Sequence, residues 1–163
     1  MINFQAFRGT VTMISEFMIG GNDEGEGCYT LLSVMDDSGG SVNFVVSPST
    51  YFVDQAMVAV GDRITGYYDG NAPVPLIYPP QYRAIVMVKE SLYQNVKVDH
   101  FNSDLVSRDG QLKLNLSPYT QIISRNGQVF TRPIANRNLI VIYGPTTRSI
   151  PAQTTPYKII VWC

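Results

Sequence analysis

Apolar and polar residues alternate along much of the chain, and this alternation predicts half-buried β-strands. It is clearest in residues 42–46 and 112–116, where Val, Phe and Leu occupy every second position. Short runs rich in Val, Ile, Tyr, Phe and Thr extend the pattern, and Gly, Pro, Asn and Asp separate them. The predicted strands are 4–16, 28–36, 41–47, 63–68 and 82–89 in the first half, and 95–101, 105–107, 111–116, 139–143 and 157–162 in the second.

The segments between these strands predict turns, two long loops and at most one short helix. Asp and Gly in residues 37–40 and 108–110 are typical of tight hairpin turns. Residues 48–61 hold the one candidate helix, whereas the comparable stretch 118–136 reads as turns. Residues 69–81 and 144–156 are rich in proline and predict stiff, extended loops.

An internal duplication fixes the expected domain organisation. Residues 40–50 match 110–120 at an offset of 70, sharing Gly, Ser, Pro and Thr as well as the apolar positions. Residues 62–68 match 137–143 at an offset of 75, and residues 82–88 match 157–163 at the same offset. The sequence therefore predicts two similar β domains, residues 1–91 and 92–163.

The order of the elements resembles the OB fold, a five-stranded Greek-key barrel. In each half, three strands are followed by a connector and then by two more strands. Residues 60–66, Val-Gly-Asp-Arg-Ile-Thr-Gly, look like the turn that leads into the fourth strand of such barrels. The resemblance implies an all-β chain of two tandem OB-like antiparallel barrels or sandwiches.

A second resemblance rests on residues 71–82, Asn-Ala-Pro-Val-Pro-Leu-Ile-Tyr-Pro-Pro-Gln-Tyr. This segment is similar to small uncharacterised β-rich proteins of anaerobic spore-forming bacteria. The resemblance covers most of the chain and brings no catalytic residue with it. Together with the composition it favours a cell or spore surface over the cytoplasm.

Composition and charge narrow the classes of partner. Hydrophobic residues make up 45% of the chain and charged residues 15%, and the net charge is −1. Twelve Lys and Arg against 13 Asp and Glu argue against nucleic acid, which is usually bound by a basic face. A nearly neutral surface also repels its own copies weakly and so favours self-association. No stretch approaches the length of a membrane span, and residues 1–8 do not form a secretory signal.

The reactive residues predict no catalytic centre, no metal and no cofactor. His100 is the only histidine and is accompanied by no nucleophile motif. Asp36 and Asp37 are a carboxylate pair beside a turn, and because consecutive residues of a strand face opposite ways, a cooperating acid/base pair is not expected. Asn22, Asp23, Glu24 and Glu26 could offer oxygens to calcium, but their spacing is not that of an EF-hand and favours a solvated hairpin tip.

Aromatic residues keep a binding function open as the alternative. Tyr67, Tyr68, Tyr78 and Tyr82 lie close together in sequence, and aromatic rings on OB-like barrels stack on bases or sugars. The same residues are ordinary in strands and interfaces. The alternative function is therefore a soluble tandem OB-like module that binds a glycan, single-stranded nucleic acid or a protein.

The leading interpretation is a non-enzymatic structural protein that assembles with copies of itself into a fibre or a surface or spore-associated layer. Its predicted subunit-interaction residues are Pro73, Pro75, Leu76, Ile77 and Tyr78, apolar residues in a loop that would otherwise be wet.

Two cysteines, Cys28 and Cys163, show neither a metal-ligand nor a redox spacing. They are predicted either as two free thiols or as a disulfide, formed within one chain or between the chains of a polymer. A disulfide would require an oxidising exterior.

Overall fold

The computed structural model describes residues 1–18 and 27–163. It confirms the all-β class. Within the described residues, helical structure is confined to a 3-10 turn at Val53–Gln55, inside the segment that was a candidate helix. No helix in this part of the chain is long and apolar enough to cross a membrane. The chain divides into two compact units, Met1–Glu90 (unit 1) and Ser91–Cys163 (unit 2).

Unit 1 is built from one sheet of seven strands in the order β4-β7-β5-β1-β2-β3-β6. The strands are β1 (Phe4–Glu16), β2 (Thr30–Met35), β3 (Ser41–Val46), β4 (Tyr51–Phe52), β5 (Arg63–Asp69), β6 (Gln81–Arg83) and β7 (Val86–Lys89). The long β1 pairs with β5 through its first half and with β2 through its second half, and a register shift lies between Val11 and Met13.

One segment of chain, residues 81–89, contributes β6 at one end of this sheet and β7, the second strand from the other end. β6 pairs in parallel with β3, and β7 pairs antiparallel with β5, although only two residues separate β6 from β7. The backbone amide of Ala84 donates to Val45 on β3 (3.0 Å), and the next amide, that of Ile85, donates to Tyr67 on β5 (2.8 Å). The sheet therefore curls round until its last strand bridges β3 and β5.

Unit 2 contains six strands among the described residues, in a four-stranded sheet of order β10-β13-β11-β8 and a two-stranded sheet of order β12-β9. The strands are β8 (Asn95–Phe101), β9 (Leu112–Leu114), β10 (Gln121–Ser124), β11 (Arg137–Tyr143), β12 (Ala152–Thr154) and β13 (Lys158–Val161). The predicted strand 105–107 is reduced to isolated bridges at Val106 and Ser107.

Three strand pairings of unit 2 correspond to pairings of unit 1. β12 is parallel to β9 as β6 is to β3, β13 is antiparallel to β11 as β7 is to β5, and β10 is parallel to β13 as β4 is to β7. In unit 1 Gly66 pairs with Met87, and in unit 2 Val141 pairs with Ile159. The offset is thus 75 between β5 and β11 but 72 between β7 and β13.

The offset of 75 predicted for residues 82–88 and 157–163 is therefore wrong by three residues. The pair Phe44 and Tyr82 in unit 1 corresponds to Leu114 and Thr154 in unit 2, which again gives 72 for the last strand. Both segments hold a run of adjacent apolar residues that matches about equally well at several offsets, so the apolar pattern did not fix the alignment, whereas the pairing partners do.

The repeated Ser-Pro-x-Thr motif has the same structural role in both units. The Thr50 hydroxyl donates to the carbonyl of Ala84 (2.9 Å) and accepts from the amide of Ser47 (3.0 Å). In unit 2 the Thr120 hydroxyl donates to the carbonyl of Pro156 (2.8 Å), again at offsets of 70 and 72. In each unit the threonine thus joins the connector to the chain two residues before the last strand.

Each unit has its own apolar core. In unit 1 the fully buried Phe44 packs with seven other buried residues: Val11, Leu32, Val34, Val42, Ile64, Ala84 and Met87. In unit 2 the core contains Phe101, Leu112, Leu114, Ile134, Leu139, Val141, Ile159 and Val161. The apolar positions of the alternating segments 42–46 and 112–116 thus enter the cores at Val42 and Phe44 and at Leu112 and Leu114.

Three short strands were not predicted. β4 lies in the segment read as a helix, β10 in the segment read as turns, and β12 in the second proline-rich loop. All three pair in parallel with a strand that is distant in sequence. A strand of two to four residues carries too little alternation to be recognised without its partner.

Candidate subunit-interaction site

The predicted interaction residues lie on an exposed loop between β5 and β6, which we call the proline loop (residues 71–80). Residues 71–78 are all exposed. Leu76 is 101% exposed, Tyr78 79% and Ile77 54%. Three adjacent large apolar side chains therefore stand in water, whereas scattered single apolar residues are what a surface ordinarily shows.

The first end of the proline loop is held by the carboxylate of Asp69, the last residue of β5. One oxygen of Asp69 accepts from the amide of Asn71 (2.9 Å) and from the amide of Asn3 (3.1 Å). The amide of Gly70 donates to the carbonyl of Asn3 (2.8 Å). These bonds, that from Asn71 foremost, hold the pKa of the Asp69 carboxyl below its usual value.

The second end is held by the backbone and by a pair of aromatic rings. The carbonyl of Pro80 accepts from the amide of Asn43 (2.8 Å). Tyr68 and Tyr82, one at each end of the loop, stack with ring centroids 3.9 Å apart and planes 8° from parallel. Burial, with Tyr82 beside it, raises the pKa of Tyr68 to about 12. The apolar residues thus project from a loop that is fixed at both ends.

The loop at the corresponding place in unit 2 has a different chemistry. Ile150 is exposed and occupies the place of Tyr78, and Arg148 occupies that of Leu76. The bonds Tyr78–Pro79 and Ile150–Pro151 are both cis. The second loop is polar and basic where the proline loop is apolar, so the two units do not present the same surface.

The four tyrosines that suggested a binding face do not form one exposed group. Tyr67 is buried, and Tyr68 and Tyr82 are half-buried and lie near Phe44, with centroids 6.2 and 6.4 Å from its ring. Tyr78 alone of the four is exposed, on the proline loop. Three of these tyrosines therefore contribute to packing.

The other residues considered for chemistry have structural partners. Asp36 accepts from the amides of Ser38 (3.1 Å) and Gly40 (2.8 Å) in the β2–β3 turn, and Asp37 pairs with Arg63 (3.1 Å). His100 is half-buried on β8, and its amide donates to the carboxylate of Asp99 (2.8 Å). Within the described residues, no three His, Cys, Asp or Glu side chains gather as a metal site. Asn22, Asp23, Glu24 and Glu26 lie outside the described residues.

Cys28 and Cys163 are both exposed and are not bridged to each other. Cys28 precedes β2 in unit 1, and Cys163 follows β13 in unit 2. Cross-linking between copies stays a prediction.

Asp109 in unit 2 makes stability depend on pH. Partial burial alone would raise its pKa, but hydrogen bonds from Lys97 and Ser107 outweigh it and hold the pKa below the usual value. A depressed folded pKa contributes stability above the unfolded value, about 3.9, and that stability is lost as the pH falls through the folded pKa. We follow the unfolding of unit 2 by Trp162 fluorescence. We expect the urea concentration at its midpoint to decrease when the pH is lowered below about 4.

An Asp109→Asn variant is the control for this prediction, because it keeps an acceptor but does not titrate. The variant should be less stable than the wild type at neutral pH. Its urea midpoint should also decrease less than that of the wild type when the pH is lowered below about 4. If the urea midpoint of the variant decreases with acid as steeply as that of the wild type, Asp109 is not the group that makes the stability of unit 2 depend on pH.

No family model matches the chain, and no curated protein matches it.

Proposed function

We propose that this chain is a non-enzymatic structural protein whose copies bind one another through the proline loop and build a fibre or a surface or spore-associated layer. The observation that carries the proposal is the exposure of Leu76, Ile77 and Tyr78 on a loop anchored at both ends. Burying such side chains is worth about 1.5–3 kcal/mol each. Little ordering entropy is lost when the loop is already fixed.

We infer that each unit is an OB-like barrel. The inference is supported by the pairing order in unit 1, where β1 pairs with β2 and β5, β2 with β3, and the last segment with both β3 and β5. A five-stranded Greek-key barrel has this order of neighbours, with β6 and β7 counted as one bent strand. β4 adds a short strand beyond it.

A soluble tandem OB-like module that binds a glycan or another ligand is the second candidate. Tyr68 and Tyr82 favour it, because they lie at the ends of an exposed loop and still show part of their surface. Size-exclusion chromatography with electron microscopy separates the two functions: regular polymers support assembly, and a compact monomer of about 18 kDa at all concentrations supports the module.

Replacing Leu76-Ile77-Tyr78 with Gly-Ser-Gly tests the role of the proline loop. We expect the critical concentration for assembly to rise at least about tenfold, since a tenfold change needs only about 1.4 kcal/mol. Thermal unfolding should change little because the three side chains make few contacts within unit 1. Sedimentation over a concentration series, with circular dichroism as the folding check, measures both.

The matched control removes the same residue types elsewhere. Leu92 and Tyr93 are 95% and 88% exposed, so Leu92→Ser with Tyr93→Ser takes away comparable apolar surface outside the loop. This control should assemble as the wild type does. If the loop variant polymerises normally, or if both variants fail equally, the proline loop is not the interface.

A further inference from the structure

The two units carry opposite net charges. Unit 1 has four Lys or Arg against ten Asp or Glu and a net charge of −6, and unit 2 has eight against three and a net charge of +5. The value of −1 for the whole chain conceals this division. The seven acidic residues of unit 1 that the structure describes already outnumber its four basic ones, and the other three lie in residues 19–26.

Local ion pairs engage most of the basic side chains of unit 1, and they leave its net negative charge unchanged. Arg63 pairs with Asp37 and Glu90, Arg8 with Glu90, and Lys89 with Asp62. Three of the four basic side chains of this unit are thus already neutralised by its own carboxylates. Glu16 and Asp54 are two further acidic residues of unit 1 that are exposed.

Two of the three acidic groups of unit 2 have partners within the unit. Asp99 is buried and accepts hydrogen bonds from the amides of His100 and Asp109, and Asp109 pairs with Lys97. Four arginines are exposed: Arg108, Arg125, Arg132 and Arg148. They lie in segments between strands, where another molecule can approach them.

We propose that the chain assembles head to tail, with the acidic unit 1 of one copy docking on the basic unit 2 of the next. The proposal rests on the proposed function and specifies its geometry. Charges of similar size and opposite sign on every copy make a second copy the best-matched partner, always present at the required stoichiometry. A contact between unlike surfaces is heterologous, so it leaves one free face at each end and continues into a filament unless the rotation closes a ring.

Two charge variants of the full chain test this geometry. The acid-blocked variant carries Glu16→Lys, Asp37→Lys and Asp54→Asn, which changes unit 1 from −6 to −1. The base-blocked variant carries Arg132→Glu and Arg148→Glu, which changes unit 2 from +5 to +1. A control with Glu16→Asp, Asp37→Glu, Arg132→Lys and Arg148→Lys keeps every charge. Circular dichroism and urea midpoints establish that each variant is folded.

Each blocked variant alone should remain monomeric at concentrations where the wild type and the control polymerise. An equimolar mixture should form 1:1 heterodimers that stop growing, because one intact acidic unit meets one intact basic unit. Analytical ultracentrifugation measures the stoichiometry. The heterodimer should dissociate as the salt concentration rises from about 0.01 M to about 1 M, over which the Debye length falls from about 30 Å to about 3 Å.

The outcomes separate this inference from the proposed function. Polymers of both blocked variants like those of the wild type would overturn the head-to-tail inference and leave self-assembly standing. Two monomeric variants that do not associate when mixed would also overturn it. A wild type that stays monomeric at low salt would overturn the proposed function. If that monomer binds heparin and the base-blocked variant does not, unit 2 serves an anionic partner instead.

Discussion

Replacing Phe44 with alanine is expected to lower the free energy of unfolding of unit 1 by about 3–5 kcal/mol. The ring is fully buried and lies in the centre of a core that also contains Val11, Ile64 and Met87. Tyr68 and Tyr82 pack near the same ring, so its loss also removes support from the ends of the proline loop. A unit of this size is marginally stable, so a change of this magnitude would leave much of unit 1 unfolded.

The single tryptophan makes this expectation specific. Trp162 lies in unit 2, so its fluorescence follows unit 2, whereas far-UV circular dichroism follows both units. Phe44→Ala should shift part of the dichroism transition to lower urea concentration. Leu114→Ala, at the corresponding place in unit 2, should instead shift the Trp162 transition, by about 2–5 kcal/mol. An unchanged dichroism transition in Phe44→Ala would show that the ring does not hold this core.

Two kinds of apolar pattern made strands predictable: alternation, as in β3, where one face is buried, and a continuous apolar run, as in β11, where consecutive residues are buried. β1 and β8 have the bounds that the sequence predicted, and β3 and β11 differ from the prediction by one or two residues. A buried face imposes a period of two on the side chains, and this period is visible in a single sequence. The all-β class follows from the same pattern.

The register of the last strand was not predictable from the pattern. Residues 157–163 are apolar at most positions, so shifts of several residues leave the match almost unchanged. The register is set by backbone partners: the amide of Tyr157 donates to Ile142, as the amide of Ile85 donates to Tyr67. Such partners are brought together only by the fold.

The opposite charges of the two units could be predicted from the sequence. The predicted boundary near residue 91 separates an acidic half of the chain from a basic half, so the net charge of the whole chain describes neither unit. Unit 2 alone has a net charge of +5, so the nearly neutral total does not argue against an anionic partner for this unit. Surface charges interact over about 10 Å at 0.1 M salt, so a partner responds to the charge of the unit that it approaches.

The proline loop carries the proposed function. A run of Leu, Ile and Tyr between prolines was visible in the sequence, and the structure adds its exposure and its two anchored ends. The anchors could not be predicted from the sequence, because they join residues that are distant in sequence: Asp69 with Asn3, and Pro80 with Asn43. Anchoring is what distinguishes a preformed docking element from a flexible loop.

Gly66 and Gly9 lie at positions in unit 1 where there is no space for a Cβ atom. A Cβ at Gly66 would lie 2.5 Å from Cζ of Phe44, and a Cβ at Gly9 would lie 2.4 Å from the carbonyl oxygen of Met35. We expect Gly66→Ala and Gly9→Ala each to lower the free energy of unfolding by about 1–3 kcal/mol or more. The causes differ, because a ring blocks the first position and the backbone of the neighbouring strand blocks the second.

A double-mutant cycle with Phe44→Leu separates these causes. Leucine lacks the far ring atoms that a Cβ at position 66 would meet, so Gly66→Ala should cost clearly less in the Phe44→Leu background than in the wild type. Gly9→Ala should cost the same in both backgrounds, because the carbonyl of Met35 is unchanged. Urea unfolding followed by far-UV circular dichroism gives all the required free energies. Additive effects of Gly66→Ala and Phe44→Leu would mean that the ring does not press on Gly66, and that the core of unit 1 is packed differently at its centre.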